Sequence, residues 1–473
     1  MEIEAIGFIT IALAVIGWFV GPSFAIYVFV SSTLLSAAAA ILLPSLGSAN
    51  IQPAHLLLGF LALSAITSGP ALRAIGNSLA FPNGGFWLLL TAAYAVLAAA
   101  FLPRIFAGAT YVFAISRTDV GSGVVALPLA PTSGNITQTV YFLGDLVCFL
   151  VFCAYAGKPR GLITVVQAVL AAAVINLVFA LIDLVVYWTG LGDPLTIIRN
   201  ADYRMLEDAT VVGFKRIVGS FPEASTFAYF TVGFFAFCTK LWLSGIHKRV
   251  TGPLALLSLC ALVFSTSSTG YAATLGFVVA LFVVSLGQVL TRPVPRPVLV
   301  LVTVTPLLVA AGAIGLRLYQ PVWIVVQDMI DQTVLNKLSS GSGVERTRWN
   351  EQAMTNFADT QGFGAGVGGT RASSFPIAVL GNIGAPGAVL YGIFLLQLFF
   401  GRMNRWRAPF PAACQSAARW ACFAQLVGAS IAGSFIDLGL PFFVFAGLAC
   451  ARPEPVAVAA VAAHRDPLAA SPA

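Results

Sequence analysis

Long apolar blocks, separated by short polar interruptions, run along almost the whole chain. A transmembrane helix needs about 20 predominantly apolar residues. Blocks that reach or approach this length occur at 3–20, 23–43, 53–67, 86–102, 139–156, 162–190, 224–243, 252–266, 269–290, 297–318, 375–400, 411–433 and 435–451. They predict about 12 or 13 spans. The expected fold is an all-α polytopic membrane protein, with residues 1–473 forming a single integral membrane domain. The apolar run 105–115 is too short to cross alone and reads as interfacial or re-entrant. Glu2 and Glu4 stand at the start of the first block, where a secretory signal would carry basic residues, so a cleaved signal peptide is not expected.

Composition narrows the chemistry. Of the 473 residues, 59% are hydrophobic and only 9% charged, and the mean hydropathy is +0.92. Soluble domains carry about 25% charged residues, which excludes a water-soluble globule. The seven cysteines lie in or near apolar runs without metal-ligand spacing, and the three histidines (His55, His247, His464) offer little for a metal site. No cofactor, metal or nucleic-acid partner is expected.

The placement of charge gives an orientation. Four short interruptions hold Lys158 and Arg160; Lys248 and Arg249; Arg292 and Arg296; and Arg402, Arg405 and Arg407, with no acidic residue among them. The positive-inside rule puts all four in the cytoplasm. Two long polar segments, 191–222 and 319–374, then lie on the outer face, and 452–473 reads as a disordered cytoplasmic tail. This orientation is read from residue 139 onward. With their edges, the two outer loops hold ten of the chain's 18 acids, together with arginines 199, 204, 216, 317, 346, 348 and 371. The cytoplasmic side offers only short basic turns, too little for an ATP-driven or nucleotide-sugar domain.

Four segments can carry chemistry. Lys215 to Ser225 (KRIVGSFPEAS) ends the first outer loop and opens the helix at 224–243. Ser220 with Glu223 fits a capping box, with Pro222 in the first turn. A functional reading stands beside this one. A helix N-terminus presents free N–H groups and positive dipole, Lys215 and Arg216 add charge for a phosphate or diphosphate, and Glu223 can accept a proton from a sugar hydroxyl.

Ser342 and Glu345 fit a second capping box, opening a helix over about 343–359. Steps of roughly 100° put Arg346, Trp349, Ala353 and Phe357 on one face and Arg348, Gln352, Thr355 and Asp359 on the other. Arg346 therefore points into the protein, where it needs an anion: an intramembrane Asp in a salt bridge, or a substrate diphosphate. Arg348 reads as a solvated residue and a secondary contact for the same diphosphate. Further on, Gly364, Gly366 and Gly369 formally match G-x-G-x-x-G, but no strand precedes them and no acidic partner follows, so a dinucleotide site is rejected. The glycines form either a loop whose backbone approaches a ligand, with Arg371 at its edge, or a flexible connector.

Ser265 to Tyr271 reads as a tight turn with an N-cap, whose hydroxyls, Ser267 and Ser268 among them, can also face a phosphate. Asp145, Asp183 and Asp437 fall within or at the edge of apolar helices, where a charge faces a cavity or a partner. They read as lining an outward-opening polar cavity or as counter-ions for loop arginines.

The order of these segments, 215–225, then 265–271, then 341–373, resembles the Wzy-type polysaccharide polymerases of bacterial inner membranes. That family shares a superfamily with the O-antigen ligases and a GT-C-like membrane architecture. The resemblance implies metal-independent, inverting glycosyl transfer between two polyprenyl-diphosphate-linked saccharides, making exopolysaccharide, capsule or O-antigen. It also implies a lipid-accessible groove, an outer loop that closes over the sugars, and a chain-length regulator and a flippase as partners. Arg216, Arg346 and Arg371 are the expected diphosphate ligands, with Lys215 and Arg348 beside them. Glu223 is the expected base, with Glu345 behind it.

Two departures matter. The turn Ser267-Ser268-Thr269-Gly270 lacks the arginine common in the superfamily, and no histidine lies between 248 and 463. The second departure disfavours a ligase, which is expected to use a histidine in the large outer loop to transfer glycan to a different acceptor. A transporter of lipid-linked sugar is the rival from another class, but no half-to-half repeat is visible.

Overall fold

The computed structural model describes residues 2–43, 49–115, 124–201, 205–206, 209–211, 213–291, 293–332, 341–401 and 409–452. Sixteen α-helices occur among them. In chain order they are α1 (Ala5–Val20), α2 (Pro22–Ser32), α3 (Pro53–Ile66), α4 (Gly69–Leu79), α5 (Gly84–Ile105), α6 (Ser133–Ala156), α7 (Pro159–Thr189) and α8 (Ala224–Leu243). Then follow α9 (Lys248–Phe264), α10 (Ser268–Thr291), α11 (Arg296–Leu318), α12 (Gln320–Ile330), α13 (Gly341–Asp359), α14 (Phe375–Phe400), α15 (Pro409–Ala432) and α16 (Leu440–Cys450).

Seven of these helices, α5, α6, α7, α8, α10, α11 and α14, are long and apolar enough to cross a membrane, or eight if the pair α3 and α4, bent by 103°, counts as one span. The expected dozen is therefore not reached by length and composition. Several blocks read as spans fold into short helices such as α2 and α16, because glycine, proline and polar residues break the backbone before the apolar run ends. The surface still demands an apolar solvent. Along α11, Leu307, Leu308 and Val309 are 65–69% exposed, and a helix apolar all round faces either a core or lipid. This is the architecture of a multi-pass membrane protein.

The core is aromatic. Phe149 and Phe152 of α6, Phe227 and Phe237 of α8, Phe277 of α10, Phe394 of α14, and Phe442 and Phe443 of α16 are fully buried. Helices α6, α8, α15 and α16 meet around them, with α14 and α5 on one side.

Three small antiparallel sheets among the described residues depart from the all-α expectation. One is β1 (Glu2–Ile3), β2 (Ile41–Leu43) and β3 (Ala49–Ile51), in that order. The next pairs β4 (Tyr111–Ile115) with β5 (Val124–Pro128), so the 105–115 run ends as a hairpin strand and not as a re-entrant segment. The last pairs β6 (Thr210–Val211) with β7 (Phe214–Lys215). The basic residues Arg292, Arg402, Arg405 and Arg407, several loop charges (Asp202, Arg204, Glu207, Asp208, Lys337) and the tail from 453 lie outside the described residues.

Two irregular segments shape the site. The blocks 411–433 and 435–451 are not two simple spans, because residues 433–439 are non-helical and Asp437 sits in this break. An 11-residue helix such as α16 is about 16 Å long, roughly half a hydrocarbon core. The break therefore lies part-way along the bundle, where irregular backbone is tolerated only when its polar groups are paired or line a cavity. Tyr229 Oη donates to Leu438 O (2.7 Å) and Tyr391 Oη to Ile436 O (3.3 Å).

The second segment is the glycine-rich loop 360–370, which is no flexible connector. Ala365 N donates to Gly381 O (2.7 Å), Gly366 N to Asn382 O (2.9 Å), Ala385 N to Gly362 O (2.9 Å), and Asn135 Nδ2 to Val367 O (2.7 Å). Residues 364–367 are buried. Its partner α14 breaks at Gly384 (φ 60°, ψ −167°), where a Cβ would collide with Gly362 O and Phe363. At Gly366 (φ 85°) a Cβ would lie 2.7 Å from the Pro103 ring. Gly384→Ala should destabilise the protein by more than about 2 kcal/mol, since backbone strain of about 1–3 kcal/mol adds to the collision. The check is the midpoint of denaturant unfolding in detergent. An unchanged midpoint would show that α14 straightens without loss.

Candidate functional site

The segment before α8 is held by a buried ion network. Asp183, near the end of α7, is 4% exposed and accepts from Arg199 Nη2 (2.8 Å), Lys215 Nζ (3.3 Å), Val218 N (2.9 Å) and Gly219 N (3.2 Å). Arg199 also pairs with Asp193 (3.0 Å) and donates through Nε to Gly219 O (3.0 Å). Lys215 Nζ stands over the Tyr187 ring at 5.4 Å. Buried charge is tolerated because each group is matched. Asp183 is thus a counter-ion for a loop arginine, and both it and Lys215 leave the candidate cavity and diphosphate sites to which the sequence assigned them. Their role is to fix the loop that presents Arg216 and Glu223.

The first capping box does not form. Helix α8 begins at Ala224, with Glu223 itself at the cap position in extended geometry and no side-chain cap bond. Ser220 instead donates to Leu34 O (2.8 Å), so a tertiary partner removes it from the helix end. Glu223 is half-buried and accepts a short hydrogen bond from Ser225 Oγ. The second box is displaced too. Helix α13 begins at Gly341, two residues before the expected 343, which puts Ser342 inside the helix and not ahead of it.

The predicted face of α13 is otherwise present. Ala353 is fully buried, Arg346, Trp349 and Phe357 are half-buried, and Arg348, Thr355 and Asp359 are exposed. Gln352 departs from the polar face, donating to Tyr111 O at 2.7 Å. Asn356 bonds the side chains of Gln352 and Thr370 (2.8 Å each) and Thr110 (3.1 Å), tying α13 to β4 and to the glycine loop. Asn350 Oδ1 accepts from Ser373 N (2.7 Å), which anchors the segment carrying Arg371.

Arg216, Arg346 and Arg371 come from three separate segments, yet Arg346 acts electrostatically on both of the others, and Glu223 acts on Arg216 and Arg371. Arg371 stacks on Trp349 (4.3 Å to the ring centre), with Phe435 at 6.0 Å. Burial lowers the pKa of Arg216; Glu223 opposes that shift, Arg346 adds to it, and Tyr271 opposes it. Burial also lowers that of Arg371, with Glu223 and Glu345 opposing and Arg346 adding. The three guanidinium groups and two carboxylates therefore share one electrostatic environment. The Nε atoms of Arg216 and Arg371 are buried without a hydrogen-bond partner. Among the described residues, the ion pairs are those of Arg199 and Lys215, and none involves these three arginines. Arg348, exposed on the other face of α13, stands outside the cluster, and Glu345 is exposed at its edge.

A cavity of about 300 Å³ opens beside Glu223. Its lining includes Ser225, Thr226, Tyr229, Phe230, Thr269, Phe435 and Asp437. The hydroxyl-rich turn contributes Thr269 and not the expected Ser267 or Ser268. Ser267 Oγ accepts from Gly270 N (3.3 Å), capping α10 as its N-cap reading requires, and Ser268 is the half-buried first residue of that helix. Asp145 is buried and is not part of the cavity wall. Thr269, Tyr229 and Phe435 escape the sequence because helical phase alone does not select them from an apolar background. No group of three or more His, Cys, Asp or Glu residues capable of holding a metal occurs among the described residues. No protein-family model matches the chain, and no curated protein matches it.

Proposed function

We propose that this chain polymerises polyprenyl-diphosphate-linked oligosaccharide repeat units by inverting glycosyl transfer, on the extracytoplasmic face of a bacterial inner membrane, as the resemblance to Wzy-type polymerases implies. The observation that supports it most is the shared electrostatic environment of Arg216, Arg346 and Arg371 with Glu223, which lines a cavity, while none of the three arginines forms an ion pair among the described residues. A diphosphate needs concentrated, preorganised positive charge, and most of all as it leaves with extra negative charge.

In this reading the donor's diphosphate lies against the three guanidinium groups. A hydroxyl of the incoming repeat unit attacks the anomeric carbon from the cavity side. The C–O bond to the diphosphate breaks, the electron pair leaves on the diphosphate, and the hydroxyl proton passes to Glu223. The carboxylate of Glu223 and the hydroxyl of Ser225 would orient that hydroxyl.

Glu223→Gln keeps the shape and removes the base. Glycan ladder formation by purified protein, given the host's lipid-linked repeat unit without nucleotide, should fall by about 10²–10⁴-fold. A ladder of wild-type intensity would return Glu223 to a purely structural place at the helix start.

A further inference from the structure

A second cavity lies at the end of the bundle that carries Lys158 and Arg160. Four helices start or stop around it: α5 begins at Gly84, and α6, α14 and α16 end at Ala156, Phe400 and Cys450. Spans that begin and end together mark the edge of the hydrocarbon layer, so the cavity sits at the height of one leaflet's headgroups. Asn83, Gln397, Gln415, Arg419 and Arg452 line it, and no Asp or Glu among the described residues does. Its volume is about 60 Å³, which is room for about four waters or one tetrahedral anion. It is separate from the cavity at Glu223. Helix α15 lines both, with Arg419 here and Gly428 there, about 14 Å apart along the helix axis.

The polar groups here are incompletely matched. Gln415 is 2% exposed; its Nε2 donates to Ala451 O (2.6 Å), while its Oε1 has no hydrogen-bond partner. One turn along α15, Arg419 donates through Nη2 to Gly401 O (3.3 Å), and its Nε is buried without a partner. Arg452 donates to Asn83 Oδ1. The bond from Gln415 to Ala451 holds the segment after α16 against α15, which brings the two arginines into one cavity. Neither forms an ion pair among the described residues. Arginines that merely reach for water at a membrane boundary would account for the charge at this height. They would not account for a buried donor and a buried acceptor left open at one cavity, since such groups cost stability until something fills them. Guanidinium forks without a carboxylate between them suit a phosphate, which accepts on several oxygens at once. We propose that this cavity binds a phosphate group, carried by an anionic lipid headgroup or present as free phosphate, with Arg419 and Arg452 on its oxygens and Gln415 Oε1 accepting from a hydroxyl on or beside it. The site stands independently of the glycosyl-transfer reading.

Thermal unfolding of the full chain in detergent, followed during titration with three probes, tests this. The probes are dioctanoyl phosphatidylglycerol, dioctanoyl phosphatidylcholine as the control without net charge, and sodium phosphate at constant ionic strength. Phosphatidylglycerol or phosphate should raise the unfolding midpoint saturably, beyond any shift with phosphatidylcholine. Saturation by phosphatidylglycerol alone assigns the lipid headgroup; saturation by phosphate assigns the free anion. Arg419→Gln should weaken the effective probe at least about tenfold, the loss expected when a hydrogen bond to a charged group is removed. Combining it with Arg452→Gln should abolish the shift. Lys158→Gln, at the same end of the bundle but outside the cavity, should stay within about twofold of wild type. If Arg419→Gln fails to fold, Arg452→Gln carries the same tenfold expectation. Three results would each overturn the site: no saturable shift with phosphatidylglycerol or phosphate, a shift matched by phosphatidylcholine, or undiminished binding in the arginine variants. A loss at Lys158 equal to that at the arginines would also overturn it, since general surface charge would then explain the binding.

Discussion

Arg371→Ala should reduce ladder formation by at least about 10²-fold, the usual loss when one preorganised electrostatic contact to a developing negative charge is removed. The guanidinium is stacked on Trp349 and faces Glu223, Glu345 and Arg346. Lysine restores the charge without the planar stack, so Arg371→Lys should recover only part of the rate. Arg346→Ala should match it, since both arginines serve one cluster. Arg348→Ala, exposed on the opposite face of α13, should stay within about twofold of wild type, as surface substitutions away from a site usually do. The measurement is the gel ladder from lipid-linked repeat unit, with folded protein verified by a monodisperse size-exclusion peak. Equal losses at Arg348 and Arg371 would mean that α13 acts through general surface charge, and the cluster would lose its assignment.

Asp183→Ala should be the most destabilising single change. It removes the shared acceptor of Arg199, Lys215 and two backbone N–H groups, and leaves two cations buried without it. Removing one partner of a buried ion pair costs about 3–5 kcal/mol. Lys215→Ala should cost less, because Asp183 keeps Arg199 and both N–H donors. Folded yield and the unfolding midpoint in detergent give the order directly. Were Lys215→Ala the worse of the two, Asp183 would not be the hub of the network.

How much of this was legible in the chain depends on the range of the interaction involved. The inward face of α13 follows from helical period alone, and Arg346, Trp349 and Ala353 sit where that period puts them. The cap at Ser267 is likewise local, between residues three apart. Ser220 matched an equally good local motif but bonds to Leu34, 186 positions away. A capping hydroxyl is worth about 1 kcal/mol, so any well-placed tertiary acceptor can outbid it. Asp183 read as one of three similar intramembrane acids, yet its partners come from loop positions that no periodicity connects. Fewer helices than expected reach spanning length among the described residues for a related reason. Hydropathy records which residues avoid water but not where glycine and proline break the helix, so the break containing Asp437 looked like part of an apolar helix.

The glycine loop between α13 and α14 has a consequence for what the chain can tolerate. Loops usually absorb insertions because their backbone runs over the surface. This one is clasped between the ends of α5 and α6 and the kink of α14, with the amides of Ala365 and Gly366 donating to carbonyls of α14. An extra residue anywhere between Gly362 and Gly369 would have no slack to occupy and would be passed on to three helices at once. Its length is therefore as fixed as that of a helix, and Arg371, two residues beyond, inherits that fixity.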